Sequence, residues 1–226
     1  LAREDQRERK REVLLREAAA LINKNGFHAT SLEDIAIGLG VTKTALYYYF
    51  PNKQKLLSAC MDRVMKVAFE AAEEAKARGS SGREKLMLAL QLYLEKLIDE
   101  MSCCVIVSEE SSMLPEDRMA HQKQRDKYDT IIRNLVKEGI KDGSIVPCDP
   151  KLVTFTLLGA VHWVPKWFSH QGDWSSAQLS HAMMELFERA LSAKPAAALA
   201  RSVADWPDAA SASPPVKPKA ARTTRR

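Results

Sequence analysis

The stretch that decides the fold, residues 30–57, reads TSLEDIAIGLGVTKTALYYYFPNKQKLL. Thr30 followed three residues later by Glu33 has the form of a capping box, which predicts a helix beginning at the next residue. Gly40 predicts a tight turn with positive φ, and Thr42 predicts the cap of a second helix that ends at the following Phe-Pro pair. Two short helices joined by a glycine turn form a helix-turn-helix.

The second of these helices has two faces of different composition. One face is apolar and is expected to pack inward: Ala45, Leu46, Tyr49 and Phe50. The opposite face carries hydrogen-bond donors: Lys43, Thr44, Tyr47 and Tyr48. Ammonium and hydroxyl groups donate to phosphate oxygens, and short side chains near a helix start reach base edges, so the pattern predicts DNA recognition. Three consecutive tyrosines cannot all face inward on one helix, which argues against an aromatic core patch in a protein-binding domain.

Residues 14–57 resemble, without a gap, the DNA-binding region of the TetR family of transcriptional regulators. The shared pattern is a Gly26-Phe27 pair that closes the first helix, a threonine before the second helix and a Tyr-x-Tyr-Phe ending of the recognition helix. The resemblance implies that Thr30, Tyr47 and Lys53 contact phosphates and that Lys43, Thr44 and Tyr48 lie over the bases. The complete expected DNA-binding set is Thr30, Thr42, Lys43, Thr44, Tyr47, Tyr48 and Lys53.

The positive charge is concentrated at the two ends of the chain. Residues 1–56 hold ten Lys/Arg against seven Asp/Glu, residues 57–192 hold 17 against 20, and residues 193–226 hold seven against two. No acidic residue occurs from residue 35 to residue 61, whereas three lysines do. Such a distribution is expected where a basic end meets a polyanion, which we take to be double-stranded DNA.

The composition also limits the compartment of the protein. No apolar run approaches the roughly 20 residues of a membrane-spanning helix, and the charged N-terminal segment lacks the pattern of a signal peptide. The four cysteines show no C-x-x-C spacing, which suits a reducing compartment, and we expect them to behave as small buried apolar groups. We therefore expect a cytoplasmic protein that does not bind a membrane.

Motifs for catalysis are missing from the sequence. There is no Gly-rich phosphate loop, no G-x-S-x-G and no H-E-x-x-H motif, so we expect no enzyme activity and no cofactor. His181 and Glu185 lie one helical turn apart and have the spacing of a metal pair, but a solvated contact on the helix surface is the preferred interpretation.

Apolar residues recur three and four positions apart through most of the chain, which predicts an all-α fold of about nine helices. We expect a three-helix DNA-binding domain at residues 1–53 and a ligand-binding and dimerisation domain at residues 54–192. Residues 193–226 are rich in Ala, Pro, Lys and Arg and lack apolar periodicity, so a disordered basic tail is expected there.

The last two predicted helices carry more apolar surface than a single copy of the domain can bury. Residues 150–168 form an almost uncharged segment with two small residues at its middle, and residues 175–191 are amphipathic. A symmetric four-helix bundle with a second copy would use both segments, and the TetR resemblance implies the same homodimer and a palindromic operator. The expected interface residues are Phe155, Gly159, Ala160, Leu179, Met183, Leu186 and Phe187.

The segment HWVPKWFSHQG, residues 162–172, resembles a segment of TetR-type regulators that sense acyl-CoA thioesters or related lipophilic catabolites. Its two tryptophans either line a pocket or pack in the bundle. The candidate pocket residues are Phe69, Met87, Met101, Val107, Met113, Trp163 and Trp167. We expect a repressor released by such a small-molecule effector; the alternative is a DNA-binding module controlled by a protein partner. An enclosed apolar cavity of about 300–1,000 Å³ would favour the sensor.

Overall fold

The computed structural model describes residues 2–99 and 110–192, and within these ranges it contains helices and no strand. The eight α-helices are α1 (Ala2–Asn25), α2 (Leu32–Gly38), α3 (Lys43–Tyr49), α4 (Lys53–Arg78), α5 (Gly82–Asp99), α6 (Pro115–Lys141), α7 (Pro150–Trp163) and α8 (Ser176–Leu191). The all-α prediction is confirmed. The division after residue 53 falls at the first residue of the continuous helix α4 and stays a prediction.

The first three helices form the N-terminal unit, and their ends follow from local capping. Helix α1 ends before Gly26, whose φ of +88° is a conformation that favours glycine. Gly40 has φ +62° in the turn between α2 and α3, as the sequence predicted. Apolar side chains from all three helices then pack on the start of α4 in a shared core: Leu15, Ala18, Ile22, Ile35, Leu46 and Leu56.

The capping box of α2 lies one residue later than the sequence analysis placed it. Ser31 is the N-cap residue, and its hydroxyl accepts from the backbone N–H of Asp34 while the Asp34 carboxylate accepts from the Ser31 backbone. The Thr30 hydroxyl instead donates to the Gly26 carbonyl oxygen at 2.8 Å. The α2 prediction was therefore correct in kind and wrong by one residue.

Helix α5 lies at the centre of the remaining body, in contact with α4, α6, α7 and α8. The start of α5 crosses the end of α6 at two glycines. A Cβ added to Gly82 would lie 2.1 Å from the backbone nitrogen of Gly139, so Gly82 has no room for a side chain. The Asp142 carboxylate accepts from the Gly82 backbone N–H at 2.7 Å and closes the same junction.

The apolar segment that follows α6 is shorter as a helix than predicted. Helix α7 stops at Trp163, and residues Val164–Lys166 form a single 3-10 turn. Pro165 has no N–H to donate to the preceding helical turn, which disfavours the continuation of the α-helix to residue 168. Farther along the chain, the backbone N–H of Val146 donates to the Leu191 carbonyl oxygen at 2.9 Å and ties the end of α8 to the body.

Several expectations lie outside the described residues: those for Met101, Val107, Cys103, Cys104 and the tail at 193–226. Among the residues with described positions, Cys60 is buried and Cys148 is half-buried, both as free thiols. No helix in the described ranges combines the length and apolar composition needed to cross a membrane.

Candidate nucleic-acid interface and interior polar cluster

Helix α3 presents the two faces that its sequence predicted. Leu46 and Phe50 are buried, while Lys43 and Thr44 are exposed and Tyr48 is 62% exposed. Tyr47 is half-buried because its ring packs at the edge of the core. The exposed side chains form a recognition surface, which we define as Lys43, Thr44, Tyr47 and Tyr48.

An acidic residue from the preceding helix holds this recognition surface in place. Glu33 on α2 accepts from the Lys43 ammonium at 2.5 Å and from the Tyr47 hydroxyl at 3.2 Å. The hydrogen bond from Lys43 lowers the pKa of the Glu33 carboxyl, so this group is a carboxylate at neutral pH. The acid-free stretch of sequence therefore gains a carboxylate from its neighbour in the fold, and a DNA phosphate would compete with Glu33 for Lys43.

Two of the expected phosphate contacts, Thr30 and Lys53, are engaged inside the N-terminal unit. Thr30 is 2% exposed. The Lys53 ammonium donates to the carbonyl oxygens of Phe27 at 2.7 Å and Thr30 at 3.0 Å, and lies 4.3 Å from the centre of the Phe27 ring. These contacts fix the connection between α1 and α2. Thr42 is exposed, and its hydroxyl accepts from the Ala45 backbone N–H as the cap of α3.

Two arginines of α1, which the sequence analysis did not include, lie against the aromatic side chains of the α3 segment. The Arg7 guanidinium lies 5.0 Å from the centre of the Tyr48 ring, and the Arg11 guanidinium lies 5.5 Å from the centre of the Phe50 ring. The two arginines are four residues apart and share one face of α1. The i, i+4 spacing was visible in the sequence, but the packing of α1 beside α3 was not.

The start of α4, beside the N-terminal unit, is joined to α6 by a partly exposed ion pair. The Lys55 ammonium lies 2.8 Å and 2.9 Å from the two carboxylate oxygens of Asp117, and the Ser58 hydroxyl donates to the same carboxylate at 2.9 Å. The hydrogen bond from Lys55 lowers the pKa of the Asp117 carboxyl. Ser112, just before α6, contacts the His28 ring at 3.3 Å. A movement of the start of α6 would therefore be transmitted to the DNA-binding end through these contacts.

Four rings from four helices meet inside the helical body and form what we call the interior polar cluster: Phe69, Tyr93, Tyr128 and His162. Tyr128 packs edge-on against Phe69 and Tyr93, and Tyr93 packs edge-on against His162, each with ring centres 5.8 Å apart. The Tyr93 hydroxyl and His162 Nε2 share a hydrogen bond of 3.1 Å. Burial lowers the pKa of His162 to about 4, so this imidazole is neutral at pH 7.

Three buried side-chain atoms on α6 lack a hydrogen-bond partner within the described part of the chain: the Tyr128 hydroxyl, His121 Nδ1 and Arg133 Nε. Tyr128 is 3% exposed and His121 is 4% exposed. Desolvation raises the pKa of Tyr128 and lowers the pKa of His121, which keeps both groups neutral. An unsatisfied buried polar group costs about 1–3 kcal/mol, and ligand sites are places where such groups occur.

The five expected ligand residues within the described ranges do not line one pocket. Phe69 belongs to the interior polar cluster, and Met87 and Met113 are buried elsewhere in the body. Trp163 and Trp167 are 64% and 55% exposed, so in a single copy they neither line a pocket nor pack in the core. Met87 borders a groove of about 350 Å³ that includes Arg78, Arg83, Glu84 and Glu188; its charged, open lining differs from an enclosed apolar cavity.

The expected dimer residues divide into three groups by exposure. Phe155 is 49% exposed, Leu186 is 59% exposed and Gly159 has open space where a Cβ would stand. Ala160 and Met183 are half-buried. Leu179 and Phe187 are instead buried in the core of the chain, because α8 turns that side toward the body. The structure adds the exposed Leu152 and Trp163 to the outward face of α7.

Metal binding has no support in the described ranges, where no three His, Cys, Asp or Glu side chains come together. His181 and Glu185 form the expected surface contact, 3.3 Å apart on α8.

Comparison with known proteins identifies the family. Residues 14–60 match the model of bacterial regulatory proteins of the tetR family, and residues 79–191 match the model of the tetracyclin repressor-like C-terminal domain. The second match alone covers half of the chain. This chain belongs to the TetR family of transcriptional regulators.

Individual relatives agree with this assignment. The fatty acid metabolism regulator protein of Bacillus subtilis is 24% identical over 178 residues, which cover 75% of this chain and 89% of that protein. The regulator PfmR of Thermus thermophilus is 26% identical with a TM-score of 0.72, covering 78% of this chain and 97% of PfmR. The regulator AibR, in a crystal structure with isovaleryl coenzyme A and operator DNA, is 26% identical with a TM-score of 0.67, covering 78% and 96%.

Proposed function

We propose that this protein is a ligand-responsive repressor that binds a palindromic operator as a homodimer and is released by a lipophilic small molecule, with an acyl-CoA thioester as the first candidate. The observation that carries the proposal is the arrangement of three parts. An exposed recognition surface is joined through Lys55 and Asp117 to a helical body that contains buried polar atoms without partners. We expect the protein to act in the cytoplasm, where the DNA is.

The recognition surface supports the DNA-binding part of the proposal. Lys43, Thr44 and Tyr48 are exposed on one side of α3 and would lie over the bases, with the Tyr47 hydroxyl donating to a phosphate. Thr30 and Lys53 would contribute by fixing the α1–α2 connection against which α3 packs. Removal of Lys43 is expected to change base preference, because its ammonium can be withdrawn from Glu33 and offered to a base edge.

The outward faces of α7 and α8 support the homodimer. Leu152, Phe155, Trp163 and Leu186 are large apolar side chains that remain 49–67% exposed in one copy. Exposed large apolar side chains grouped on one helix face, as Leu152, Phe155 and Trp163 are on α7, mark protein interfaces. The open space at Gly159 would let the backbone of a second copy approach closely. A two-fold arrangement would place two recognition helices about 34–36 Å apart, one turn of DNA.

The chemistry of the interior polar cluster supports a neutral, mainly apolar effector. Its groups are uncharged at pH 7, and a neutral carbonyl oxygen can accept from the Tyr128 hydroxyl without the cost of burying a charge. A thioester carbonyl has this character. AibR is a relative that binds an acyl-CoA, which makes this class the first to test.

The experiment begins with an operator selected from random DNA by the purified full-length protein. Affinity for the selected duplex is then measured by fluorescence anisotropy with isovaleryl-CoA, octanoyl-CoA, free coenzyme A and free octanoate. We expect one of the two thioesters to lower operator affinity about 100-fold, which corresponds to a coupling of about 3 kcal/mol, and the two controls to have little effect. If neither thioester changes affinity or melting temperature while a protein from the same cell does, the protein-controlled module replaces the sensor.

The dimer is tested separately with Gly159→Trp and with Ala77→Trp, which adds the same side chain at an exposed position of α4 away from the outward face. We expect the first variant to be monomeric by light scattering and to lose operator affinity by at least about 100-fold, because the half-sites are then bound one at a time. The second variant should behave as wild type. A monomeric wild-type protein at micromolar concentration would contradict the dimer.

A further inference from the structure

Arg7 lies beside the recognition helix α3, although the two are far apart in sequence. Its guanidinium lies over the ring of Tyr48, 5.0 Å from the ring centre, on the exposed side of α3. A guanidinium stacked on an aromatic face keeps its five N–H donors in the plane of the group, where they remain open to an acceptor. Since Tyr48 is 62% exposed, the stacked pair borders the recognition surface.

Three other cations at this end of the molecule already have partners. Lys43 is paired with Glu33 at 2.5 Å, and Arg11 is paired with Glu8 at 3.2 Å. The Lys53 ammonium donates to two backbone carbonyl oxygens. Arg7 differs from these three, because no carboxylate of the described residues lies within ion-pair distance of it. Arg7 can therefore neutralise a phosphate without first breaking an ion pair.

We propose that Arg7 contacts the DNA phosphate backbone beside the bases read by α3, and that Tyr48 positions its guanidinium by stacking. The proposal rests on the DNA binding proposed above and extends the binding surface from α3 to α1. Tyr48 then has two tasks, one toward the bases and one toward Arg7. Phosphate contact is the form that this position favours, because a guanidinium matches two phosphate oxygens with two parallel hydrogen bonds.

Arg7→Gln tests the proposal against Arg9→Gln as a matched control. Both substitutions remove one positive charge from the exposed start of α1, but positions 7 and 9 point about 200° apart around the helix. Affinity of the full-length variants is measured by anisotropy on a labelled 30-base-pair duplex of arbitrary sequence and on the selected operator, at several salt concentrations. Circular dichroism melting checks that both variants fold as wild type.

We expect Arg7→Gln to bind both duplexes about fivefold more weakly and the salt slope of log affinity to fall by about one. Arg9→Gln should lose less than about twofold. An equal loss in the two variants would overturn the proposal, because a general charge effect would then explain the result. A loss confined to the selected operator would also overturn it, because a phosphate contact does not depend on sequence.

The positioning role of Tyr48 is tested by combining substitutions. If Tyr48 holds the guanidinium, Arg7→Gln should have a smaller effect in a Tyr48→Ala background than in wild type. Additive effects would overturn the positioning role. If the wild-type protein binds neither duplex, the proposed DNA-binding function fails together with this inference, whereas wild-type binding with an unaffected Arg7→Gln variant overturns the inference alone.

Discussion

The DNA-binding end and the interior of the helical body differ in the exposure and the hydrogen bonding of their polar groups. At the DNA-binding end, Lys43, Tyr47 and Lys53 are partly open to water, yet each donates to a specific acceptor. In the interior, Tyr128 and His121 are removed from water, yet each retains a polar atom without a partner in the described part of the chain.

This difference indicates where each region meets its partner. An exposed donor such as Lys43 can exchange its intramolecular acceptor for a phosphate oxygen without leaving a buried group unpaired. A buried group without a partner is destabilising until a ligand supplies one. Under the proposed function, the first region would meet a large polyanion, and the second a small molecule that brings its own hydrogen-bonding group.

The largest expected effect is at Lys53, and it tests whether the contacts of the DNA-binding end are structural. Lys53→Met removes two charge-assisted hydrogen bonds to carbonyl oxygens, so we expect the free energy of unfolding to fall by about 3 kcal/mol. Lys66→Met, at an exposed position of the same helix, is the control and should have little effect. Urea unfolding measures both; an unchanged stability for Lys53→Met would leave a phosphate contact as the role of Lys53.

A smaller effect is expected from His162, and it tests the neutral character of the interior. Burial lowers its pKa in the folded protein to about 4, whereas the unfolded chain protonates near 6.5. As the pH falls from 7 to 5 the unfolded state takes up a proton that the native state does not, so His162 lowers stability by about 2 kcal/mol at pH 5. His162→Asn should lose less stability than wild type over this pH range in urea titrations. Equal losses would show that His162 is already protonated or exposed.

The smallest expected effect compares two tyrosines in the interior polar cluster. Tyr93→Phe deletes a hydroxyl that hydrogen-bonds to His162, and Tyr128→Phe deletes one without a partner. We expect the first substitution to lower the free energy of unfolding by about 1 kcal/mol and the second to raise it by about the same amount. Thermal and urea unfolding of the pair give the comparison. A loss of stability in both would mean that the Tyr128 hydroxyl is satisfied, for example by water, and would remove the contrast between the two regions.

The sequence predicted the DNA-binding end in more detail than the body because the signals there are local. A glycine at a positive-φ turn, a threonine cap and a two-faced seven-residue helix are all defined by residues within a few positions of one another. The partners of Lys43 and Lys53 were not predictable in the same way, since Glu33, Phe27 and Thr30 come into place only through the packing of α1, α2 and α4.

In the body, apolar spacing predicted helices but not which side of each helix faces inward. Leu179 and Leu186 belong to the same amphipathic pattern, yet the first is buried and the second is 59% exposed. Helix α7 is apolar around most of its circumference, so its sequence does not predict which side of the helix faces the core. The interior polar cluster combines residues from four helices and has no sequence motif.

The glycine junction between α5 and α6 holds the chain just after the C-terminal end of α4, so a rotation of α4 about that end would displace its N-terminal end the most. With 26 residues at 1.5 Å each, α4 is about 39 Å long. The C-terminal end of α4 lies a few residues before Gly82, whose close backbone contact with Gly139 restricts movement there. The N-terminal end of α4 begins at Lys53, beside the DNA-binding helices. A rotation of about 5° around the fixed end moves Lys53 by about 3.4 Å, which is the rise of one base step along a DNA strand. Under the proposed function, a displacement of that size at Lys53 would shift the recognition helix by about one base step relative to its operator.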